Sequence, residues 1–233
     1  MRLFFAAVLF ATAFLAVPAD AQSLIPVPGR AAAPATTDKE NLWLLDLSNG
    51  GRVTIWLRPD VAPKMVERIK TLTRRKFYDG LLFHRVIEGF MAQGGDPKGD
   101  GTGGSDLGDL PAEFNYLPHV RGAVSAAREG APEGADAAVK KKAEDSANSQ
   151  FFIVFTPRLS LDKKYTVFGR VIDGMQYVDT IERGEPPANP TRIVHAYIAA
   201  DNPPAYVAPT PERVMVDPVS LPPGPGRRVP PAR

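Results

Sequence analysis

The run from Phe83 to Asp96 constrains the fold of this chain most, because it sets a charged arginine among apolar side chains and interrupts them with glycine. Side chains alternate along a strand, so the residues Phe83–Val86 predict a strand with Phe83 and Arg85 on one face and the other two side chains on the opposite face. Gly89 interrupts this pattern, and apolar residues resume beyond it. On these residues alone, a core strand whose arginine reaches out to water fits as well as a functional site.

Other segments predict one hairpin and two helices. Two apolar runs that flank Asn49-Gly50-Gly51 predict a β-hairpin. An amphipathic helix is predicted from Pro63 to a stop at Asp79-Gly80, and a second, short helix is predicted to close at Gly184. The apolar positions that support these helices are Met65, Val66, Ile69, Leu72 and Phe77 in the first, and Met175, Val178 and Ile181 in the second. Two helices among many short strands favour a mainly β fold, a closed antiparallel barrel.

The first 21 residues predict a secretory signal peptide. Arg2 precedes an apolar run from Leu3 to Val17, and Ala19-Asp20-Ala21 fits a small-x-small cleavage site. The run is shorter than the roughly 20 residues of a spanning helix, although an uncleaved anchor is the alternative. We therefore expect an exported chain, periplasmic or secreted, that begins near Gln22 and has no stable membrane insertion. The absence of cysteine excludes a lipid-modified cysteine anchor and a disulfide framework.

The predicted domain organisation follows the distribution of proline. After residues 1–21, the segment 22–38 is rich in Pro, Ala and Gly and predicts a flexible lead into a single domain over 39–200. Residues 201–233 carry ten of the chain's 24 prolines and predict an extended tail, because such a density cannot sustain a helix interior or a central strand. The tail is interpreted as a solubilising segment or as a ligand for a proline-recognising partner.

Charge and short motifs exclude several function classes. A net charge of +2 gives no support for a nucleic-acid partner. Gly99–Gly104 spells GxGxxG, but neither a preceding strand nor a following helix is predicted, so the glycines are assigned to a tight loop rather than to dinucleotide binding. The three histidines lack metal-ligand spacing and are each interpreted as structural. Glu129 and Glu133 are interpreted as members of a solvated loop. We expect no metal and no cofactor.

Four blocks in order give the chain a family resemblance. They are the run 83–96, Gly101-Thr102-Gly103-Gly104, Ser149-Gln150-Phe151-Phe152-Ile153, and Tyr165-Thr166-Val167-Phe168-Gly169-Arg170-Val171 followed by Gly174-Met175. With these blocks the chain resembles the cyclophilin-type peptidyl-prolyl cis-trans isomerases, in particular exported bacterial ones, from roughly Leu42 to Ala199. The resemblance implies an eight-stranded barrel with two helices, and a monomer that acts on proline-containing segments of unfolded exported proteins.

The resemblance also implies roles for particular residues. Arg85 would donate to the prolyl nitrogen of the twisted X-Pro bond, and Gln93 would hold the substrate backbone. The residues implied to line the apolar proline pocket are Phe90, Met91, Phe152 and Leu161. Those implied to bind the residues before the proline are Gly101, Ala127, Arg128 and Gln150. Without the resemblance, the apolar members of this set would be interpreted as ordinary core.

Some positions depart from the family pattern. Ser160, or a neighbour, stands where many cyclophilins have Trp at the pocket rim, Tyr165 stands where many have His, and Arg128 stands where many have Asn. Tyr165 can still donate a hydrogen bond and form a wall of the pocket. The segment between Arg128 and Gln150 is long and predicts an exposed charged loop beside the groove. Two alternatives to an enzyme stay open: a proline-binding chaperone or scaffold with little turnover, and an adaptor that works through the tail.

Overall fold

A computed structural model of the protein describes residues 31–207. The predicted signal peptide, residues 22–30 of the predicted flexible segment and residues 208–233 of the tail lie outside this range. The strands are β1 Leu42–Leu47, β2 Gly51–Leu57, β3 Leu82–Ile87, β4 Met91–Asp96, β5 Ala123–Ala126, β6 Phe151–Val154, β7 Val167–Asp173 and β8 Ile193–Ile198. The helices are α1 Pro63–Arg74, α2 Ala137–Glu144 and α3 Met175–Asp179, with 3-10 turns at Lys39–Asn41, Leu159–Leu161 and Ala199–Asp201. Within 31–207, no helix combines the length and apolar character needed to cross a membrane.

The eight strands form one antiparallel sheet in the order β3-β4-β6-β5-β7-β2-β1-β8. The mainly β prediction is confirmed, but the closed barrel is corrected to a curled sheet with two edge strands. These edges come together near the starts of β3 and β8, where Leu82 and Arg192 form an isolated bridge and the backbone N–H of Ile193 donates to the carbonyl of Leu81 at 2.8 Å. Beside it, the backbone N–H of Phe83 donates to the carbonyl of Thr191 at 2.9 Å. The contact is too short to form a ladder.

The predicted hairpin is confirmed as β1 and β2, which pair from Leu42 opposite Trp56 to Leu47 opposite Gly51. Gly50 lies in the turn with φ of 94°, a conformation that glycine adopts without a steric cost. The Asn49 side chain donates to the carbonyl of Tyr177 at 2.8 Å, which ties the turn to α3.

Helix α1 begins at Pro63, as predicted, since proline fits a position whose N–H has no partner within the helix. The carboxylate of Glu113 accepts hydrogen bonds from the next two backbone N–H groups, each at 3.0 Å, and so caps the helix. The helix ends at Arg74, before the predicted stop, because Lys76 adopts a φ of 61°. Phe77 consequently lies beyond the helix and packs on the edge of the core.

The prediction of two helices is wrong, because α2 forms within the segment that was predicted to be an exposed charged loop. Asp136 caps it by accepting a hydrogen bond from the backbone N–H of Val139 at 2.9 Å, and Lys141 pairs with Asp145 one turn along. The predicted second helix, now α3, ends at Asp179 rather than near Gly184. Gly184 instead forms a β-bridge with Val86.

The main core lies between the inner face of the sheet and α1. Four of its aromatic rings meet edge to face, with centroid separations of 4.9 to 6.1 Å: Trp43, Tyr78, Phe83 and Phe151. Burial raises the pKa of Tyr78, whose hydroxyl donates to the carbonyl of Ser149 at 3.1 Å. This cluster fixes the strands that carry the residues of the candidate site.

Removal of Asp201–Arg233 should leave the domain folded and active on short peptides. In the described part of this tail, Asp201 pairs with exposed Arg74, and the carbonyl of Pro204 accepts a hydrogen bond from Arg52 at 3.2 Å. Exposed pairs contribute only about 0.2–1 kcal/mol each, so the melting temperature should fall by only a few degrees. Calorimetry can compare this deletion with one that begins after Val207. An insoluble product, or a fall of more than about 10 °C, would show that residues 201–207 are part of the folded domain.

Candidate functional site

Arg85 projects from β3 on the face opposite the main core. Strand β3 is irregular at His84: Phe83 pairs with Gly94 and Arg85 with Gln93, so His84 is an extra residue in the ladder. Phe83 and Val86 therefore both face the core, while Arg85 is about half exposed. The predicted alternation, with Phe83 and Arg85 on one face, is wrong because the irregularity reverses the faces between them. The same irregularity directs the guanidinium into a groove.

A line of polar side chains crosses this groove. The Arg85 Nη1 atom lies 3.5 Å from Oε1 of Gln93, whose Nε2 donates to Oε1 of Gln150 at 2.9 Å. Gln150 in turn donates to the carbonyls of Gly101 and Gly103 at 3.0 and 2.8 Å. The two glutamines thus hold each other and the glycine loop in a fixed register. The structure brings together four residues that the sequence assigned separately to the site.

An apolar cluster separate from the main core lies next to Arg85 and Gln93. Its buried members are Met91, Ala123, Phe152, Val154 and Val167, and the residues packed partly exposed against it are Ile87, Phe90, Leu117, Ala127, Leu161 and Tyr165. All four predicted pocket residues belong to this cluster. Met91 and Phe152 are buried, whereas Phe90 and Leu161 are partly exposed. The partly exposed members leave apolar surface facing the groove, which a proline ring could cover.

Tyr165 and Arg128 form one wall of the groove. The Tyr165 ring stands edge-on to Phe152, with the centroids 5.6 Å apart. The Arg128 guanidinium lies over the Tyr165 ring at 4.6 Å and donates to the carbonyl of Lys164 at 3.2 Å. Arg128 is therefore held against the wall rather than pointing freely into solvent.

Beyond Gln93, the groove widens into a cavity of about 550 Å³. It is bordered by the glycine loop and by both ends of the segment between Arg128 and Gln150, the second of which leads into β6. Its lining includes Gly101, Gly103, Ala127, Arg128, Glu129 and Gln150. The cavity joins the apolar cluster through Gln93, and the segment between Arg128 and Gln150 borders it, as predicted.

Two groups near the site, buried His84 and partly exposed Asp162, have shifted pKa values. Burial lowers the pKa of His84, and the positive charge of Arg85 acts in the same direction, while the negative charge of Asp96 partly opposes the shift. Burial raises the pKa of Asp162, but hydrogen bonds from the backbone N–H and the ring of His119 outweigh this effect and leave the pKa below its usual range. His119 lies fully buried and stacks on Phe152 at 6.2 Å.

Sequence reasoning missed two contacts of the site. Glu185 accepts a hydrogen bond from Nε of Arg85 at 2.7 Å, although 100 residues separate them. No motif marks this glutamate, and only the folded chain shows the pairing. His119 was interpreted as structural, but the sequence did not indicate that its ring stacks on Phe152.

Within residues 31–207, no three His, Cys, Asp or Glu side chains group in a way that could hold a metal ion.

Comparisons with known proteins place these features in one family. Residues 44–198 match the family model described as cyclophilin type peptidyl-prolyl cis-trans isomerase/CLD. A probable peptidyl-prolyl cis-trans isomerase of Brucella suis is 44% identical over 189 residues, which are 74% of this chain and 90% of the relative. Peptidyl-prolyl cis-trans isomerase B of Bacillus subtilis is 38% identical over 140 residues, 60% of this chain and 89% of the relative.

Solved structures agree with the sequence matches. A crystal structure of a cyclophilin from Hirschia baltica has a TM-score of 0.61 at 28% identity, covering 74% of this chain and 77% of that one. A cyclophilin-type isomerase from Cryptosporidium parvum, crystallised in the presence of the dipeptide Ala-Pro, has a TM-score of 0.58 at 25% identity, covering 67% and 98%.

Proposed function

Because this chain belongs to the cyclophilin-type peptidyl-prolyl cis-trans isomerases, we propose that it accelerates X-Pro rotation in unfolded exported proteins, with Arg85 stabilising the twisted prolyl nitrogen. The observation that carries this proposal is the position of Arg85: a half-exposed guanidinium beside an apolar cluster and next to Gln93. An apolar surface and two fixed donors are what a proline ring and its preceding peptide require.

The chemistry needs few polar groups. Rotation about X-Pro crosses a barrier of roughly 20 kcal/mol, because twisting the amide removes its partial double-bond character. In the twisted state the prolyl nitrogen becomes pyramidal and regains a lone pair. A donor aimed at that lone pair stabilises the twisted state more than either planar isomer, which is catalysis by differential binding. No nucleophile, base or metal is required for this step.

The guanidinium of Arg85 suits this role. It stays protonated and presents several donors in one plane. In the described structure its Nε is occupied by Glu185, whereas Nη2 forms no hydrogen bond with the protein. Gln93 and Gln150 present amides along the groove, where they would hold the peptide backbone before the proline. The Ala-Pro dipeptide used with the Cryptosporidium parvum relative supports a proline-containing ligand for this groove.

Export of the substrate proteins is the second part of the proposal. It is supported by the predicted signal peptide in residues 1–21, which would deliver the domain to a compartment where exported chains fold. Fractionation of cells that express the full chain, with N-terminal sequencing, tests delivery. The purified mature protein should also accelerate the slow, proline-limited refolding of an exported protein. A cytoplasmic, unprocessed product would contradict the export proposal, and peptide binding without faster rotation would favour a scaffold.

Isomerase activity should survive exhaustive chelation and dialysis. The proposed step uses only hydrogen bonding and apolar contact, so removal of divalent ions removes no participant. The measurement is kcat/KM on a proline peptide before and after treatment, with metal content determined by mass spectrometry. If chelation abolished the activity and a divalent ion restored it, the proposed mechanism would be wrong.

Cyclosporin A should inhibit this protein weakly. Ser160, or a neighbour in the 3-10 turn Leu159–Leu161, stands where the resemblance expects an indole N–H donor at the pocket rim in members that bind the drug well. Serine supplies neither that donor at the same reach nor the aromatic surface. An inhibition titration tests this, and Ser160→Trp should tighten inhibition relative to the unmodified protein. Nanomolar inhibition of the unmodified protein would contradict the expectation.

A further inference from the structure

Glu185 is the one acidic side chain that forms an ion pair with Arg85 among the described residues 31–207. Its Oε2 atom accepts a hydrogen bond from Nε of Arg85 at 2.7 Å. Nε joins the guanidinium to the side-chain stem, so this bond fixes the plane of the group without using its outer donors. The pairing therefore restrains Arg85 and still leaves Nη2 available to a substrate.

The backbone of the fold delivers Glu185 to this place. Gly184 donates to the carbonyl of Val86 at 2.9 Å and accepts from its N–H at 2.8 Å, so the residues next to Glu185 and Arg85 are bonded to each other. Gly184 has a φ of 146°, and a Cβ there would lie 2.5 Å from the Cα of Pro187. A glycine is thus required where the chain turns toward β3, and the next side chain reaches the guanidinium.

We propose that Glu185 is a positioning residue for the isomerase reaction, which holds the Arg85 guanidinium in the orientation that meets the twisted prolyl nitrogen. This inference rests on the proposed role of Arg85. A long arginine side chain without a partner samples many rotamers, and a donor acts on a transition state only when it is already oriented. Because the pair is exposed, its effect on fold stability should be small. Its effect should therefore appear in turnover.

The matched control is Glu88, which pairs with Arg183 at the same Nε–Oε2 distance of 2.7 Å. This pair also joins the end of β3 to the segment before Glu185, and it does not include Arg85. Glu88→Ala thus removes an equivalent exposed pair between the same parts of the chain. A purely structural contribution from such pairs would appear equally in Glu185→Ala and Glu88→Ala.

The test measures steady-state kinetics on a short Ala-Pro peptide and the side-chain NMR signal of the Arg85 Nε–H. In Glu185→Ala, kcat/KM should fall about tenfold, mainly through kcat, since misplacement of a catalytic group is costly. Glu185→Asp should recover part of the loss. Glu88→Ala should stay within about twofold of the unmodified protein. The Nε–H signal should broaden or shift in Glu185→Ala alone, and raising the salt to about 1 M should slow the unmodified enzyme more than this variant.

Three results overturn the positioning role. They are an unchanged kcat/KM in Glu185→Ala, an equal loss in Glu88→Ala, and an unaltered Nε–H signal. Failure of the underlying mechanism looks different, because Arg85→Ala would then retain near-normal turnover. Melting temperatures of all variants show whether any loss arises from unfolding.

Discussion

Replacement of Arg85 by alanine should lower kcat/KM by about 10²- to 10³-fold, the scale expected when one preorganised donor is removed from a site. The guanidinium meets the prolyl nitrogen only while the bond is twisted, so the loss should fall on kcat, and peptide affinity should change little. The fold should tolerate the change, because Arg85 is about half exposed and lies outside the main core. Turnover on an Ala-Pro peptide and calorimetric affinity for the same peptide are the two measurements.

Arg85→Lys distinguishes charge from geometry. A flexible ammonium keeps the positive charge but lacks the planar fork, and it cannot pair with Glu185 and face the substrate together, so rescue should be poor. Full rescue by lysine would mean that charge alone suffices. Near-normal turnover in Arg85→Ala, combined with loss in Phe152→Ala, would show that the groove functions without the proposed role of the arginine.

The adjacent residues Phe151 and Phe152 should affect different properties when each is changed to alanine: fold stability for Phe151 and peptide binding for Phe152. Phe152 lies in the groove cluster, so Phe152→Ala should weaken peptide binding about 10- to 100-fold, the equivalent of one buried apolar side chain. Phe151 is fully buried in the main core, so Phe151→Ala should lower the free energy of unfolding by about 3–5 kcal/mol. Urea unfolding and peptide titration measure the two effects.

The two variants serve as controls for each other. At a temperature where Phe151→Ala is still folded, its peptide affinity should be near that of the unmodified protein, because the residue faces away from the groove. Phe152→Ala should be less destabilised than Phe151→Ala, since its neighbours Tyr165 and Leu161 are partly exposed. Equal destabilisation with unchanged binding in both would contradict the division of the apolar residues into a core and a groove cluster.

Sequence patterns predicted the regular parts of this fold better than its irregular ones. The hairpin of β1 and β2 and the start of α1 at Pro63 follow from local turn and capping chemistry, and both are confirmed. Helix α2 was missed because its sequence is short and charged and carries little apolar periodicity. The prediction that Phe83 and Arg85 share a face was wrong, because the irregularity at His84 arises from how β3 pairs with β4. Alternation within one strand cannot reveal it.

In the candidate site, too, the residues with a sequence signal were predicted and those that depend on distant contacts were not. The resemblance named residues from five separate segments, and the structure brings them to one groove, although their roles stay predictions. Glu185 was not identified, because its contact with Arg85 joins residues 100 positions apart and depends on the bridge between Gly184 and Val86. The closure of the sheet was overstated for a similar reason. How far the two edge strands pair depends on where each strand ends in space.

Exchange NMR on a short Ala-Pro peptide tests the central claim, that this protein accelerates X-Pro rotation, most directly. Uncatalysed interconversion takes about 10–100 s at 25 °C, too slow to give exchange cross-peaks between the cis and trans signals. A small molar fraction of the purified mature protein should produce such cross-peaks and leave the cis-to-trans ratio unchanged. The same amount of Arg85→Ala should produce no cross-peaks. Peptide signals that shift on binding while the interconversion stays at the uncatalysed rate would contradict the account.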